Sequence, residues 1–228
     1  MKGFLFVLIC DYVIINIGRS VVMNRVEIKE NAKASLKGKY GDAIAVIGIL
    51  FGLSFACGLV VAFLGLDEDM SDFIASIFSL GLSCLLGFGL MSYFLKVSRN
   101  EEVTYNELFN KMDMFWPYLS ISLLVGLFTL LWTLAFIIPG IIAALSYSMV
   151  FYIKLDNPEL GALDVIKKSK QMMSGHKFDF FVLSLSFVGW IILGAFTFGI
   201  LYLWLIPYMQ VSYANFYNSI KDVNKTTV

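Results

Sequence analysis

Histidine occurs once in this chain and cysteine three times, and charged residues make up only 15% of its 228 residues. Each scarcity narrows what the protein can do. The one histidine, His176, follows a helix-patterned segment, where complementing the helix dipole or facing lipid suits it better than general base catalysis. Cys57 and Cys84 fall inside apolar runs and Cys10 lies near the start. None has Cys or His neighbours at metal-ligand spacing, so buried small side chains are the reading, and no disulfide or zinc framework. The sequence also lacks a P-loop, a dinucleotide fingerprint and a G-x-S-x-G element. No Asp, Glu, Lys, Arg or His stands in the interior of a long apolar run, where ion-coupled carriers and proton relays usually place one. A basic, aromatic-interleaved surface for nucleic acid is missing as well. The expectation is no catalytic, cofactor or metal residues, and no nucleic-acid partner.

What the chain has is oil. Apolar residues are 59% of the total, against roughly 45–50% in an ordinary soluble domain. Four runs, 43–65, 73–95, 116–155 and 178–217, reach or exceed the roughly 20 apolar residues a helix needs to cross a bilayer. The last two are near double length. Pro139-Gly140 should break the first of them and a turn near Phe198-Gly199 the second. Crossings are therefore expected near 43–65, 73–95, 117–138, 140–154, 180–198 and 200–217. That is an all-α, polytopic membrane protein of six helices.

Formal net charge is zero, but its distribution is not even. Of the connections that would share one side, LDEDMSD (66–72) holds four acids and no base. Pro139-Gly140 and Phe198-Gly199 hold no charge. Apart from Lys2, every Lys and Arg falls on the other side. Basic residues mark the cytoplasmic face, so both termini are expected inside, in a bacterial plasma membrane.

The longest basic connection is PELGALDVIKKSKQMMSGHKFDFF, residues 158–181. Asn157 and Pro158 can open a helix there and Gly175 can close it. Ala162, Val165, Ile166, Ser169, Met172 and Met173 share one face, with Asp164, Lys167, Lys168, Lys170 and Gln171 off it. Two placements stay open. The helix lies in the membrane interface with Lys167, Lys168, Lys170, His176 and Lys177 towards anionic headgroups, or it packs on the ends of the chain's own crossings, and the two are compatible.

Residues 1–22 fit a seventh span or a signal peptide poorly. Asp11 sits mid-run, at about 2.5–3.5 kcal/mol for a charge at a bilayer centre, and no small-residue cleavage site follows. A third reading is translated upstream sequence. Gly18-Arg19-Ser20 can be encoded GGA-AGG-AGT, a purine-rich ribosome-binding sequence placed just before Met23, the expected native start. Asn24 and Glu27 then have capping-box spacing.

Three similar units follow one another. Each apolar pair is preceded by an amphipathic segment: VEIKENAKASLKGKY, TYNELFNKMDMFW (with Thr104 and Glu107 at capping-box spacing) and the 158–181 segment. Gly38-Lys39-Tyr40 parallels Gly175-His176-Lys177-Phe178, and LSISLLVG (119–126) parallels LSLSFVG (183–189). Ser92-Tyr93, Ser146-Tyr147 and Ser212-Tyr213 recur near the cytoplasmic end of each second helix. The expected arrangement is three hairpins, each entered through a cytoplasmic amphipathic helix. Gly48, Gly52 and Ala56 would form a helix-packing stripe on the first crossing.

IIPGIIAALSYSMVFYIKLDNPELGALDVIKKSKQMMSGHKFDFFVLSLSFVGW (137–190), with LKGKYGDAI, EEVTYNELF and WLIPYMQVSYANFY, resembles the bacterial membrane family known as domain of unknown function 975. It is similar more distantly to the membrane domain fused to some glycerophosphodiester phosphodiesterases. The resemblance implies six helices and a bacterial plasma membrane, and members typically begin where Met23 stands. It supplies no activity and no catalytic residues. The functional reading is a non-enzymatic membrane protein that organises or senses anionic lipid, or the membrane subunit of a protein partner. The rival is a channel or carrier for a small neutral or hydrophobic solute, or a peptide export or immunity component, with the Ser-Tyr pairs lining its path.

Overall fold

A computed structural model describes residues 25–65, 67–197 and 199–226. The expectations for residues 1–22, for Asn24 as a cap and for Phe198 in the last turn lie outside them. Nine α-helices succeed one another among the described residues, with no strand: α1 Arg25–Leu36, α2 Tyr40–Phe63, α3 Glu68–Ser98, α4 Phe115–Ala135, α5 Ile137–Tyr147, α6 Val150–Asp156, α7 Ala162–Met172, α8 Lys177–Phe196 and α9 Tyr202–Thr226. Two short 3-10 turns, Tyr105–Leu108 and Met112–Met114, lead into α4.

Five stretches are long and apolar enough to cross a membrane: Tyr40–Phe63, Asp69–Ser98, Tyr105–Ala135, Ile137–Asp156 and Lys177–Phe196. α9 is helical where the sixth crossing is expected but is not among the five. Gln210, Ser212, Asn215, Asn218 and Ser219 lower its apolarity. Ser212 and Asn215 are buried and the other three half-buried, because α9 packs against α1, α2, α3, α7 and α8. Val211, Ser212, Ala214 and Phe216 on it are wholly buried. A helix enclosed by protein does not need the composition of one that faces lipid.

Two apolar clusters, one around Phe88, Tyr152 and Phe187 and one around Leu36, Val46 and Tyr93, meet at α9. Both lie towards the end that carries the lysines, which we call the basic end. At the other end large apolar side chains stand in the open: Phe63 is 94% exposed, Phe136 74% and Phe196 79%. Water-soluble monomers rarely expose so much contiguous apolar surface, and with the five long apolar stretches it fits a membrane protein.

Four expectations are corrected here. The chain breaks at Phe136 (φ −160°, ψ 145°), not at Pro139-Gly140. Pro139 stands in the first turn of α5, where its missing N–H costs nothing. Gly140 serves as a contact, since a Cβ there would lie 2.2 Å from Thr133 Oγ1 and 2.8 Å from Thr133 Cα. The Gly48-Gly52-Ala56 stripe is exposed, with nothing within 4 Å of a Cβ at either glycine; α2 packs instead through Ala43, Val46 and Ile47. Residues 104–114 do not form an amphipathic α-helix. Glu107 is turned into the protein, away from the cap of its own segment, which leaves only the two 3-10 turns.

The helix predicted from Pro158 begins at Ala162 instead. Asn157 caps the helix before it, its Nδ2 donating to the Ile153 carbonyl at 2.9 Å. Lys154 Nζ donates to the carbonyls of Pro158 and Leu160, both at 2.7 Å, and holds the intervening turn open. Gly175 ends the segment as expected, at φ +85°, a conformation glycine adopts without a Cβ penalty.

Candidate functional site

The polar residues of the basic end form one cluster that the sequence did not announce. Asp156 ends α6. Arg99 Nη1 and Nη2 donate to its two oxygens at 3.0 and 2.8 Å, fork against fork. Tyr217 Oη donates to Oδ2 at 2.8 Å, and Lys221 Nζ pairs with the same oxygen. Arg99 Nε also donates to Asn218 Oδ1 at 3.2 Å, and Asn218 Nδ2 donates to Ser98 Oγ at 3.0 Å. The partners come from the ends of α3, α6 and α9, so one carboxylate joins the second helix of every apolar pair. With both oxygens occupied by donors, Asp156 is a latch and has no proton to move.

A second carboxylate behaves alike. Glu107 accepts from Ser92 Oγ at 2.7 Å and pairs with Lys96 at 2.9 Å. Gly89 makes room for this segment, since a Cβ there would stand 2.0 Å from the Leu108 carbonyl oxygen. Among the described residues no group of three or more His, Cys, Asp or Glu could hold a metal ion.

The predicted apolar face of α7 is a real face. Val165, Ile166, Ser169, Met172 and Met173 are buried, and Ser169 Oγ donates to the Ser146 carbonyl at 2.8 Å. It packs on α4, α5 and α6, the second of the two placements the sequence left open. Of the lysines, Lys167 is exposed, Lys168 donates to Asn157 Oδ1 at 3.1 Å, and Lys170 and Lys177 border a common groove. His176 is corrected from a helix end to a helix start. Gly175 reverses the chain, and His176 becomes the N-cap of α8, where a positive ring would oppose the dipole. Its Nδ1 is 4.0 Å from the Asp179 carboxylate.

The serines of the three Ser-Tyr pairs are buried in packed protein. Ser146 and Ser212 donate to the carbonyls one turn back, of Ile142 at 2.6 Å and Tyr208 at 2.7 Å. Ser92 serves Glu107. Tyr93 is wholly buried, whereas Tyr147 and Tyr213 are half-buried.

Lysines that the sequence reading passed over form the other basic cluster. On α1, Ile28, Ala32, Ser35 and Leu36 face inward, and Lys29 and Lys33 lie one turn apart beside aromatic rings. Lys29 Nζ is 4.4 Å from the Phe187 centroid and Lys33 Nζ 5.7 Å from that of Tyr208. Burial pushes the Lys29 ammonium below the ordinary lysine range, and the charges of Lys33 and Arg25 push it the same way. The place is electropositive. A groove of about 390 Å³ opens there between α1, Tyr40, Trp190, Trp204 and Tyr208.

A family model described as "Protein of unknown function (DUF975)" matches residues 23–146 and 134–224, and the chain belongs to that family. The distant likeness to a glycerophosphodiester phosphodiesterase membrane domain is not shown. No curated protein and no solved structure matches the chain.

Proposed function

We propose that this is a non-enzymatic, six-span protein of the bacterial plasma membrane, with both ends cytoplasmic, that organises anionic lipid at the inner face. The membrane subunit of a protein partner is a role the same surface would serve. One observation carries the reading: every Lys and Arg of the described residues lies at one end of the helices, while the opposite connection holds only acids. Cations at a bilayer surface draw anionic lipid by about 1 kcal/mol each. The three hairpins would be α2–α3, α4–α5 (continued by α6) and α8–α9, with α9 as the sixth crossing. α1 and α7 would be their surface helices, resting on protein below and turning lysines to the headgroups. The enclosed polar side chains of α9 support its counting as a crossing.

The test uses the full chain in bilayers of equal parts phosphatidylglycerol and phosphatidylcholine, with one of the two carrying brominated acyl chains. Tryptophan quenching reports which lipid sits at the protein. Brominated phosphatidylglycerol should quench more strongly, and replacing Lys167, Lys168 and Lys170 by Gln should reduce the preference. Equal quenching by the two lipids would sink the reading.

A further inference from the structure

Two grooves on the flanks of the bundle are bordered by matching segments of the chain and share one equivalent lysine. The register that sets Gly38 (φ +83°) on Gly175 (φ +85°) also sets the start of α2 on the start of α8, and Asp42 on Asp179. It pairs buried Ile28 with Val165, Ala32 with Ser169, and Leu36 with Met173. In this register Lys33 falls on Lys170 and Tyr40 on Lys177. Lys33 and Tyr40 border the groove against α8 and α9. Lys170 and Lys177 border one of about 190 Å³ against α4 and α5. Each surface helix therefore brings cations to the hairpin before it, with α1 closing the circle on the last.

We infer that each of these two grooves binds one anionic phospholipid, its phosphate between the paired lysines and an acyl chain along the tryptophan-bearing wall. The inference rests on the lipid reading above. Charge complementarity supports it: Lys29, Lys33, Lys170 and Lys177 make no ion pair among the described residues. Lys177 also opens α8, where the helix dipole adds positive potential and makes a lone cation unfavourable without an anion beside it. The walls choose a lipid over a free anion. Trp190 is 52% exposed, Trp204 48% and Trp132 51%, and these rings continue each groove into the apolar belt, where a soluble anion has nothing to gain. A groove between α2 and α3, which Tyr118 of α4 borders, is an internal contrast. It is lined by Ser54, Ser79, Ser83 and Tyr118 without a cation, and it should hold no anionic lipid.

The experiment is native mass spectrometry of the full chain released from vesicles of equal parts phosphatidylglycerol and phosphatidylcholine. Two retained phosphatidylglycerols and no retained phosphatidylcholine are expected. K29Q/K33Q and K170Q/K177Q should each lose one, with affinity at that groove falling about thirty-fold for two surface cations. The K29R/K33R and K170R/K177R variants keep the charge and should retain both lipids, as should K167Q/K168Q. Retention unchanged in the fourfold Gln variant, or equal retention of phosphatidylcholine, overturns the inference. So does displacement by inorganic phosphate where chloride of equal ionic strength has no effect, which would assign the lysines to a free anion. Preferential quenching by brominated phosphatidylglycerol without retained lipid would sink only the grooves; no preference at all would sink the reading beneath them.

Discussion

Replacing Asp156 by Ala tests whether the latch holds the basic end together. The substitution removes the acceptor of Arg99, Tyr217 and Lys221 at once and leaves two cations facing each other. The side chains of Asp156, Arg99 and Lys221 are 11%, 30% and 28% exposed. Breaking a fully buried pair costs about 3–5 kcal/mol; with this residual exposure, about 2–4 kcal/mol is expected, a roughly 30- to 900-fold fall in the folded-to-unfolded ratio. Tyr217→Phe removes one hydrogen bond to a charged group and should cost about 1.5 kcal/mol alone. In the Asp156→Ala background it should cost almost nothing, giving a coupling of similar size. The assay is reversible unfolding in mixed micelles of mild and denaturing detergent, followed by tryptophan fluorescence. Hydrogen exchange should show the loss at the ends of α3, α6 and α9. A change below about 0.5 kcal/mol, or strictly additive costs, would refute the latch.

Two further predictions concern packing and orientation. Gly140→Ala and Gly89→Ala force a Cβ to within 2.8 Å of backbone atoms and should each destabilise by about 1–3 kcal/mol, whereas Gly48→Ala and Gly52→Ala meet open space and should stabilise α2 by up to about 1 kcal/mol; the same unfolding assay ranks them, and equal effects at all four would show the contacts to be wrong. A periplasm-active reporter fused after Met70 should be active and one fused after Asn100 inactive, and the reverse pattern would invert the proposed topology.

The sequence exposed what depends on periodicity and hid what depends on distant partners. The buried face of α7 is legible because Val165, Ile166, Ser169 and Met172 recur at helical spacing, and the hinge at Gly175 because glycine is cheap at positive φ. The start of α7 was not legible. Asn157 is a good cap for either neighbour, and Lys154, bonded to two carbonyls beyond it, decides which. Pro139-Gly140 looked like a break because both residues disfavour helix interiors; a proline in the first turn escapes that rule, and the glycine is there for Thr133. The latch joins residues that lie far apart in sequence, so no local pattern contains it. Its one local signal is a lone acid closing the long apolar stretch from Ile137, a position where an unpaired carboxylate would be costly. α9 was read by its average apolarity, which blurs a helix whose polar residues point into protein.

The distribution of burial says what kind of object this is. At the basic end the chain satisfies itself: Asp156 and Glu107 are both met by cations, α1 and α7 spend their apolar faces on protein, and the wholly buried side chains gather there. Towards the opposite end the contacts that remain lie within hairpins, Gly140 on Thr133 and Tyr202 on Gly194, and Phe55, Leu134, Phe136 and Phe196 are left uncovered. Water cannot cover such surface favourably at about 25 cal/mol per Å², so acyl chains must. A fold of this shape is tied at one end by its own side chains and completed along its flanks by lipid. The two lysine-bearing grooves join the two regimes, since each is bordered both by lysines of the basic end and by exposed tryptophan, Trp132 in one and Trp190 and Trp204 in the other.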